Sequence, residues 1–587
     1  MNVINNQSTS GRIRILYAAI IFVCAIFIFR LFYLQVLQYD YYQDQAQANQ
    51  LKRYEIPAER GAIFAKDGEE SVAFVLNERS YTIVADPQII TDKEATAVFV
   101  SEVLGLPQNE VLAAVSADTR YEILAKNRPQ QAKDAIEKLY IEGDIVGIFA
   151  EKTTRRVYPH GSLGSQILGF VNDDGEGNYG VEQFLDESLA GSNGRVKALT
   201  DQNGVPLLAN GDNVLEDAVD GSDVTLTIDV AMQKQIETLL ENGLKDAQSE
   251  SGSIIVLDPY TGQIKSMANF PSYDPADFRI VEDLQLFTNA SVSSPLEPGS
   301  IMKALTAAAA LDQGAVTKDT SYFDPGFFNI DDATVRNVSE VAGSGTRSIS
   351  DILRLSLNTG ATYLLMQMGG GEINQEGREA WHDYMVNHYQ FGSKTGVEQG
   401  FEEPGHIPDP NDGFGLNIQY ANTAFGQGMT VTPLQMAAAL ASVVNGGTYY
   451  QPTLVAGQTD TDGNYTNSSP KVVSSNVVSR DTADTIIQFM NNVVVNNNRT
   501  AARDGYQVGG KTGTAEIARP EGGYFEDKFN GTYVGYVGGD SPEYVVMVRV
   551  NEPGIAGYAG SRAAGPVFSS VINMLIDNFS VQSITGQ

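Results

Sequence analysis

The run Leu296-Glu297-Pro298-Gly299-Ser300-Ile301-Met302-Lys303, continuing as Ala304-Leu305-Thr306-Ala307-Ala308-Ala309-Ala310-Leu311, is the most informative stretch of the chain. Proline and glycine stand where a helix opens, and the alanine-rich run behind them continues it. On a helix, positions i and i+3 share a face, so Lys303 is predicted beside the Ser300 hydroxyl in the first turn. That suits a nucleophile and its base, provided the lysine can be neutral. An unperturbed lysine, with a pKa of about 10.4, is uncharged only about once in a few thousand at pH 7. Ile301, Met302 and the alanines would desolvate it, and a second lysine in the same pocket would lower its pKa further.

One four-residue pattern is weak by itself, because a serine ahead of a helix is commonly its N-cap. Ser468-Ser469-Pro470-Lys471 matches it too. There Pro470 steers Ser469 away from helical geometry, so that serine and lysine are not predicted to face each other. Two further elements single out Ser300. Ser356-Leu357-Asn358 falls inside a predicted helix that begins near Ile349 and runs past Thr359-Gly360. Its hydroxyl and carboxamide could relay a proton and hold a substrate amide, although alone the pair better fits two ordinary polar residues on a helix. Gly509-Gly510-Lys511-Thr512-Gly513-Thr514-Ala515 follows Gln507-Val508 in a predicted edge strand. Its glycines would let a substrate backbone approach. Lys511 would supply fixed positive charge for a carboxylate and depress the pKa of Lys303; alone, the segment also fits a turn with a solvated lysine. Ser474-Ser475-Asn476 and Lys394-Thr395-Gly396 repeat the second and third patterns, but the first reads as a loop and no strand-like run leads into the second.

Around these motifs lie 587 residues, 42% hydrophobic and 19% charged. That composition is globular, and the length predicts two or three domains. A net charge of −33 disfavours nucleic-acid partners. Residues 15–29 carry no charge, and residues 15–37 are 23 positions, about 34 Å as a helix and enough to span a bilayer. Arg12 and Arg14 precede the span and no acid appears before Asp40. Positive-inside counting therefore puts residues 1–14 in the cytoplasm and the bulk of the chain outside the cytoplasmic membrane. Ala46-Gln47-Ala48 resembles a signal-cleavage site but lies far past the apolar run, behind Tyr39, Tyr41 and Tyr42, so an uncleaved single-pass anchor is predicted. Cys24 is the only cysteine, which excludes an intramolecular disulfide, and the four histidines, His160, His382, His388 and His406, lack the company of a zinc site.

Residues 38–220 read as a mixed α+β pedestal. A hairpin is predicted around Asn77-Glu78-Arg79, helices at 94–104, 109–115 and 130–140, and a turn-rich loop at 173–180 ahead of a helix through Leu189. A second domain, 221–577, opens with a strand at 223–228 and a helix from Val230. An antiparallel hairpin follows at 253–268, strands lie at 532–537 and 544–551, and a closing helix begins at Pro566. Residues 578–587 form a tail. Strands early and late with helices between them predict an α+β fold whose antiparallel sheet, flanked by helices, joins distant segments.

In their order, Ser300-Ile301-Met302-Lys303, Ser356-Leu357-Asn358 and Lys511-Thr512-Gly513 resemble the three motifs of penicillin-binding transpeptidases and serine β-lactamases. Leu296-Glu297-Pro298-Gly299, Gly426-Gln427-Gly428, Thr432-Pro433-Leu434-Gln435 and Ala564-Gly565-Pro566-Val567-Phe568 look like the monofunctional, class B branch. Arg60-Gly61-Ala62-Ile63, Arg156-Val157-Tyr158-Pro159 and Gly180-Val181-Glu182 are similar to that branch's pedestal, with Ala65 where the family usually has aspartate. The resemblance implies a membrane-anchored D,D-transpeptidase that needs no cofactor or metal. Ser300 would attack the D-Ala-D-Ala carbonyl of a peptidoglycan stem peptide, Lys303 take its proton, and Ser356 and Asn358 shuttle the proton and hold substrate. Lys511, Thr512 and Thr514 would bind the carboxylate, and the N–H groups of Ser300 and Thr514 would form the oxyanion hole. It also implies β-lactam binding and partnership with a membrane glycosyltransferase and division proteins. The single anchor and moderate length look like the septal type; an elongation-type enzyme, a carboxypeptidase, a β-lactamase and a non-catalytic β-lactam sensor or scaffold are the alternatives.

Overall fold

The computed structural model describes residues 9–39, 51–68, 70–199, 214–338, 343–411, 415–519 and 522–585. The chain divides into two compact units, residues 1–58 with 191–220, and residues 59–190 with 221–587. In the first unit Thr9–Phe32 is helical and a π-helical turn, Tyr33–Leu37, prolongs it. Its apolar part, Ile13–Leu37, has 25 residues and a mean hydropathy of 2.6, and it is not buried within the protein. At 1.5 Å per residue that is about 37 Å, long enough for a single-pass membrane anchor. Ala46-Gln47-Ala48, Tyr41 and Tyr42 lie outside the described residues. The same unit contains an antiparallel sheet of Leu51–Ile56, Gly194–Leu199 and Val214–Glu216.

In the second unit a seven-stranded sheet combines Ile63–Asp67, Glu70–Ala85, Glu122–Arg128 and Ile148–Val157 with three later strands, Asp223–Asp229, Val455–Thr459 and Tyr465–Asn467. No hairpin forms at Asn77-Glu78-Arg79. A single strand, Glu70–Ala85, runs through and changes partners there, from Ile63–Asp67 to Ile148–Val157 and Glu122–Arg128. The polar triplet that reads as a turn is satisfied across the sheet. Glu78 lies opposite Arg155 and pairs with it at 2.6 Å, and the Asn77 carboxamide donates to the Arg60 carbonyl and accepts from Arg156 Nη1 at 2.7 Å. Glu182, with no exposed surface, accepts from Arg60 Nε at 2.9 Å and Arg156 Nε at 2.8 Å. Ala65 is wholly buried in the core. Three helices, Lys93–Leu104, Gln108–Val115 and Gln130–Glu142, form where predicted. Beyond the loop at 173–180 the chain forms two short helices, Gly180–Phe184 and Asp186–Ala190.

The second sheet has five strands: β1 (Ser251–Leu257), β2 (Ile264–Phe270), β3 (Gln507–Ala518), β4 (Tyr524–Gly538) and β5 (Pro542–Asn551), all antiparallel in the order β2-β1-β5-β4-β3. Segments some 250 positions apart thus share one sheet, and β3 is its edge. Side chains alternate across it with the two-residue period of a strand. Ile254 and Val256 join the core built with helices Val230–Ala247 and Gly565–Asn578, while Ile255 and Leu257 join the larger core on the opposite face. In that larger core lies α1 (Met302–Asp312), whose residues Met302 through Ala310 are all buried. Apart from Lys303, Thr306 and the terminal Asp312 the helix is apolar all round and so belongs inside, and its alanines let neighbours approach closely.

Candidate active site

Gly299–Ile301 forms a tight turn that runs directly into α1. Gly299 has φ 61°, its N–H donates to the Gly426 carbonyl at 2.9 Å, and a Cβ there would come within 3.0 Å of the Thr514 oxygen. Glycine is therefore required by both conformation and space. The turn leaves Ser300 partly accessible and places Lys303, one turn further, wholly out of solvent.

Ser356-Leu357-Asn358 is not the interior of one helix, as its periodicity predicts. Helix α2 (Ile349–Arg354) stops, Ser356 takes the left-handed value φ 56°, and α3 (Asn358–Met368) starts afresh. The break turns the Ser356 carbonyl out of the helical ladder and onto Lys303. Lys303 Nζ lies 2.7 Å from that oxygen, 2.7 Å from Asn358 Oδ1, 2.9 Å from Ser300 Oγ and 3.3 Å from Ser356 Oγ. The carbonyl and carboxamide oxygens can only accept, so they engage two N–H bonds of Lys303. In the neutral amine the third direction is the lone pair, and it faces the Ser300 hydroxyl. Burial, and secondarily the charge of Lys511, hold Lys303 well below the ordinary lysine range.

Lys511, 1% exposed on β3, donates to Ser356 Oγ at 3.0 Å and to the Thr512 carbonyl at 2.9 Å. The Ser356 hydroxyl thus stands between two amines. Burial pushes Lys511 down to about 7. Its charge is thus less secure than that of a solvated lysine, because burial disfavours the protonated form.

The glycines of β3 make room for the protein itself. A Cβ on Gly509 would lie 2.3 Å from the Tyr536 ring, one on Gly510 2.4 Å from the Tyr533 ring, and one on Gly513 2.8 Å from the Pro298 oxygen. The strand can therefore lie against the nucleophile turn. Thr514 Oγ1 accepts from the Gly560 N–H at 3.0 Å, and Thr512 is partly accessible beside Lys511.

All five residues predicted for catalysis meet in one place. The look-alike patterns stay apart from it: Ser468 through Lys471 are exposed ahead of the strand Val472–Ser474, and Thr395 is tied into a turn by Glu402, which accepts from its N–H and hydroxyl at 2.6 Å. Two features have roles that the sequence reading did not assign. Glu297 Oε1 accepts from the Gly428 N–H and the Tyr524 hydroxyl, each at 2.9 Å, linking the nucleophile turn to β4. Burial raises the pKa of this carboxyl. The other is the polar cluster of Asp324, Asn337 and Thr359 at the start of α3.

The family model "Penicillin binding protein transpeptidase domain" matches residues 252–573, and "Penicillin-binding Protein dimerisation domain" matches residues 55–226. This chain belongs to the class B penicillin-binding proteins, in which a transpeptidase domain follows a dimerisation domain. It is 30% identical to Stage V sporulation protein D of Bacillus subtilis over 95% of this chain and 84% of that one. It is 25% identical to the peptidoglycan D,D-transpeptidase FtsI of Escherichia coli over 98% of this chain and 92% of that one. Penicillin binding protein 3 of Mycobacterium tuberculosis, solved with aztreonam, aligns at a TM-score of 0.68 and 25% identity, covering 90% of this chain and 98% of that one.

Proposed function

We propose that this protein is a serine-type peptidoglycan D,D-transpeptidase that cross-links stem peptides in septal wall synthesis and is acylated by β-lactams. The observation that carries this reading is the set of contacts around Lys303, whose two N–H bonds have acceptor-only partners while its lone pair faces Ser300 Oγ at 2.9 Å. Ser300 loses its proton to Lys303 as its oxygen bonds to the D-Ala-D-Ala carbonyl carbon. The amide bond then breaks, and D-alanine leaves with a proton passed through Lys303 and the Ser356 hydroxyl. An amine from a neighbouring stem attacks the ester and regenerates Ser300. The N–H groups of Ser300 and Thr514 serve as the oxyanion hole. Asn358 holds Lys303 and a substrate amide, while Lys511, Thr512, Gly513 and Thr514 take the terminal carboxylate. An arriving carboxylate favours protonated Lys511, which in turn favours neutral Lys303, so binding itself readies the base.

Likeness to the peptidoglycan D,D-transpeptidase FtsI supports the transpeptidase activity, while the septal role, with a membrane glycosyltransferase and division proteins as partners, rests on the family resemblance, the one apolar N-terminal helix among the described residues and the moderate length. Arg12 and Arg14 at the N-terminal end of the apolar helix support an N-terminus inside and a catalytic domain outside the cytoplasmic membrane. The domain limits 38–220 and 221–577 remain part of this reading. Fluorescent-penicillin labelling of wild type beside Ser300→Ala tests it, together with assay of cross-linked dimer from a stem-peptide polymer. Labelling is expected in wild type only, with dimer as product. Labelling that survives the substitution overturns the nucleophile, and trimmed monomer alone overturns the transpeptidase.

A further inference from the structure

Helix α3 begins at Asn358 with Leu357 as its N-cap residue, and no side chain of its own caps it. Four backbone N–H groups at a helix start need acceptors from somewhere. Here a neighbouring hairpin supplies one. The strand Ala333–Arg336 of that hairpin leads into Asn337, whose Oδ1 accepts from the Thr359 N–H at 3.1 Å. One residue back, the Arg336 carbonyl accepts from Asn358 Nδ2 at 3.1 Å. This second contact settles which way the Asn358 carboxamide faces, since only with Nδ2 on Arg336 does Oδ1 point to Lys303 Nζ, 2.7 Å away.

Asn337 is itself held from below. Its Nδ2 donates to Asp324 Oδ2 at 2.9 Å, and the Thr359 hydroxyl reaches the same oxygen at 2.9 Å. Asp324 Oδ1 accepts from the Gly326 N–H at 2.8 Å. Asp324 and Thr359 have no exposed surface, and among the described residues Asp324 forms no ion pair. A buried carboxyl group without an ion pair is unfavourable unless donors converge on it; here the Gly326 N–H holds one oxygen, and Asn337 and Thr359 meet on the other at the start of α3.

We propose that Asp324 and Asn337 are positioning residues for acylation, a clamp from outside the three motifs that orients the Asn358 carboxamide and so holds the base on Ser300. This rests on the serine-acylation reading above. The clamp touches no substrate. Its loss acts through Asn358, on the rate of bond formation and not on β-lactam capture.

Single-turnover acylation of the full chain by a fluorescent penicillin separates the possibilities, because the amplitude reports the folded fraction and the rate constant reports the site. Asn337→Ala is expected to lower the limiting acylation rate constant at least tenfold, with the non-covalent dissociation constant and the amplitude within twofold of wild type. Thr334→Ala, on the same hairpin but with its hydroxyl bonded, among the described residues, to Asn329 alone, is expected to leave the rate constant unchanged. An unchanged rate constant in Asn337→Ala overturns the proposal, as does an equal fall in Thr334→Ala. Should Asn337→Ala give no amplitude, the smaller lesion Asn337→Ser, whose hydroxyl is too short to span both partners, is read by the same criteria. Absence of Ser300-dependent labelling in wild type would be a failure of the serine-acylation reading and not of the clamp.

Discussion

Lys303 Nζ stands 2.7 Å from the carbonyl oxygen of Ser356, and the contact exists because Ser356 leaves the helical region at φ 56°. A non-glycine residue there is strained by about 1–2 kcal/mol, against about 0.5–1 kcal/mol of extra chain entropy for glycine. Ser356→Gly relieves the strain and removes the hydroxyl. It is expected to keep or raise the melting temperature while slowing acylation about 100-fold. Melting curves and acylation kinetics on one preparation check the split; a clearly lower melting temperature would mean that serine is relaxed in this turn.

Lys511 links the site to pH in two ways. Its charge is the second cause of the low Lys303 pKa, after burial, so Lys511→Met raises that pKa. A base must be neutral to act, and the acid limb of the acylation profile is therefore expected at higher pH in the variant. The second effect is on stability. With Lys511 at about 7 when folded and about 10.4 when unfolded, the unfolded chain binds more protons between those values. The burial penalty is full below pH 7 and is relieved as pH rises toward 10, by on the order of a few kcal/mol. Wild type should gain on Lys511→Met between pH 7 and 9.5 in thermal melts; parallel curves would contradict this.

Gly510→Ala is expected to destabilise by about 1–3 kcal/mol, because its Cβ would lie 2.4 Å from the Tyr533 ring in a filled core. Gly343→Ala, with nothing within 4 Å, should stay within about 0.5 kcal/mol of wild type. Urea midpoints compare them. Equal midpoints would return the glycines of β3 to a role in substrate approach.

Glu182 is the shared anion of two buried arginines, Arg60 and Arg156. Removing it leaves Arg156 without a carboxylate and Arg60 with Asp186 alone, at 2.7 Å, and Glu182→Ala is expected to destabilise by about 3–5 kcal/mol. Arg155→Ala, which breaks the exposed pair with Glu78, should change stability by about 0–1 kcal/mol. Denaturant titration of the two variants provides the check, and a similar small effect in both would refute the buried-anion account.

Local pattern was enough for Ser300 and Lys303, because i and i+3 share a helix face whatever surrounds them, and for β3, because its residues fit a strand at a sheet edge. It failed at Ser356. Residues 349–368 keep helical spacing, and nothing between Arg354 and Asn358 breaks a helix by itself. The break is held by partners far away in sequence, Lys303 on one side and Arg336 and Asn337 on the other. It failed likewise at Asn77, where a turn-forming triplet is satisfied by Arg155 and Arg156 across the sheet.

By itself, then, the sequence determined an N-terminal apolar helix long enough to span a membrane, the pairing of Ser300 with Lys303, and the order of motifs that marks the family, since each is a property of neighbouring residues or of composition. Only the tertiary structure decided which way Asn358 faces, that the β3 glycines serve internal packing, and that Lys511 is buried and its pKa lowered. These depend on desolvation and on contacts between segments up to some 200 positions apart, and no local pattern encodes them.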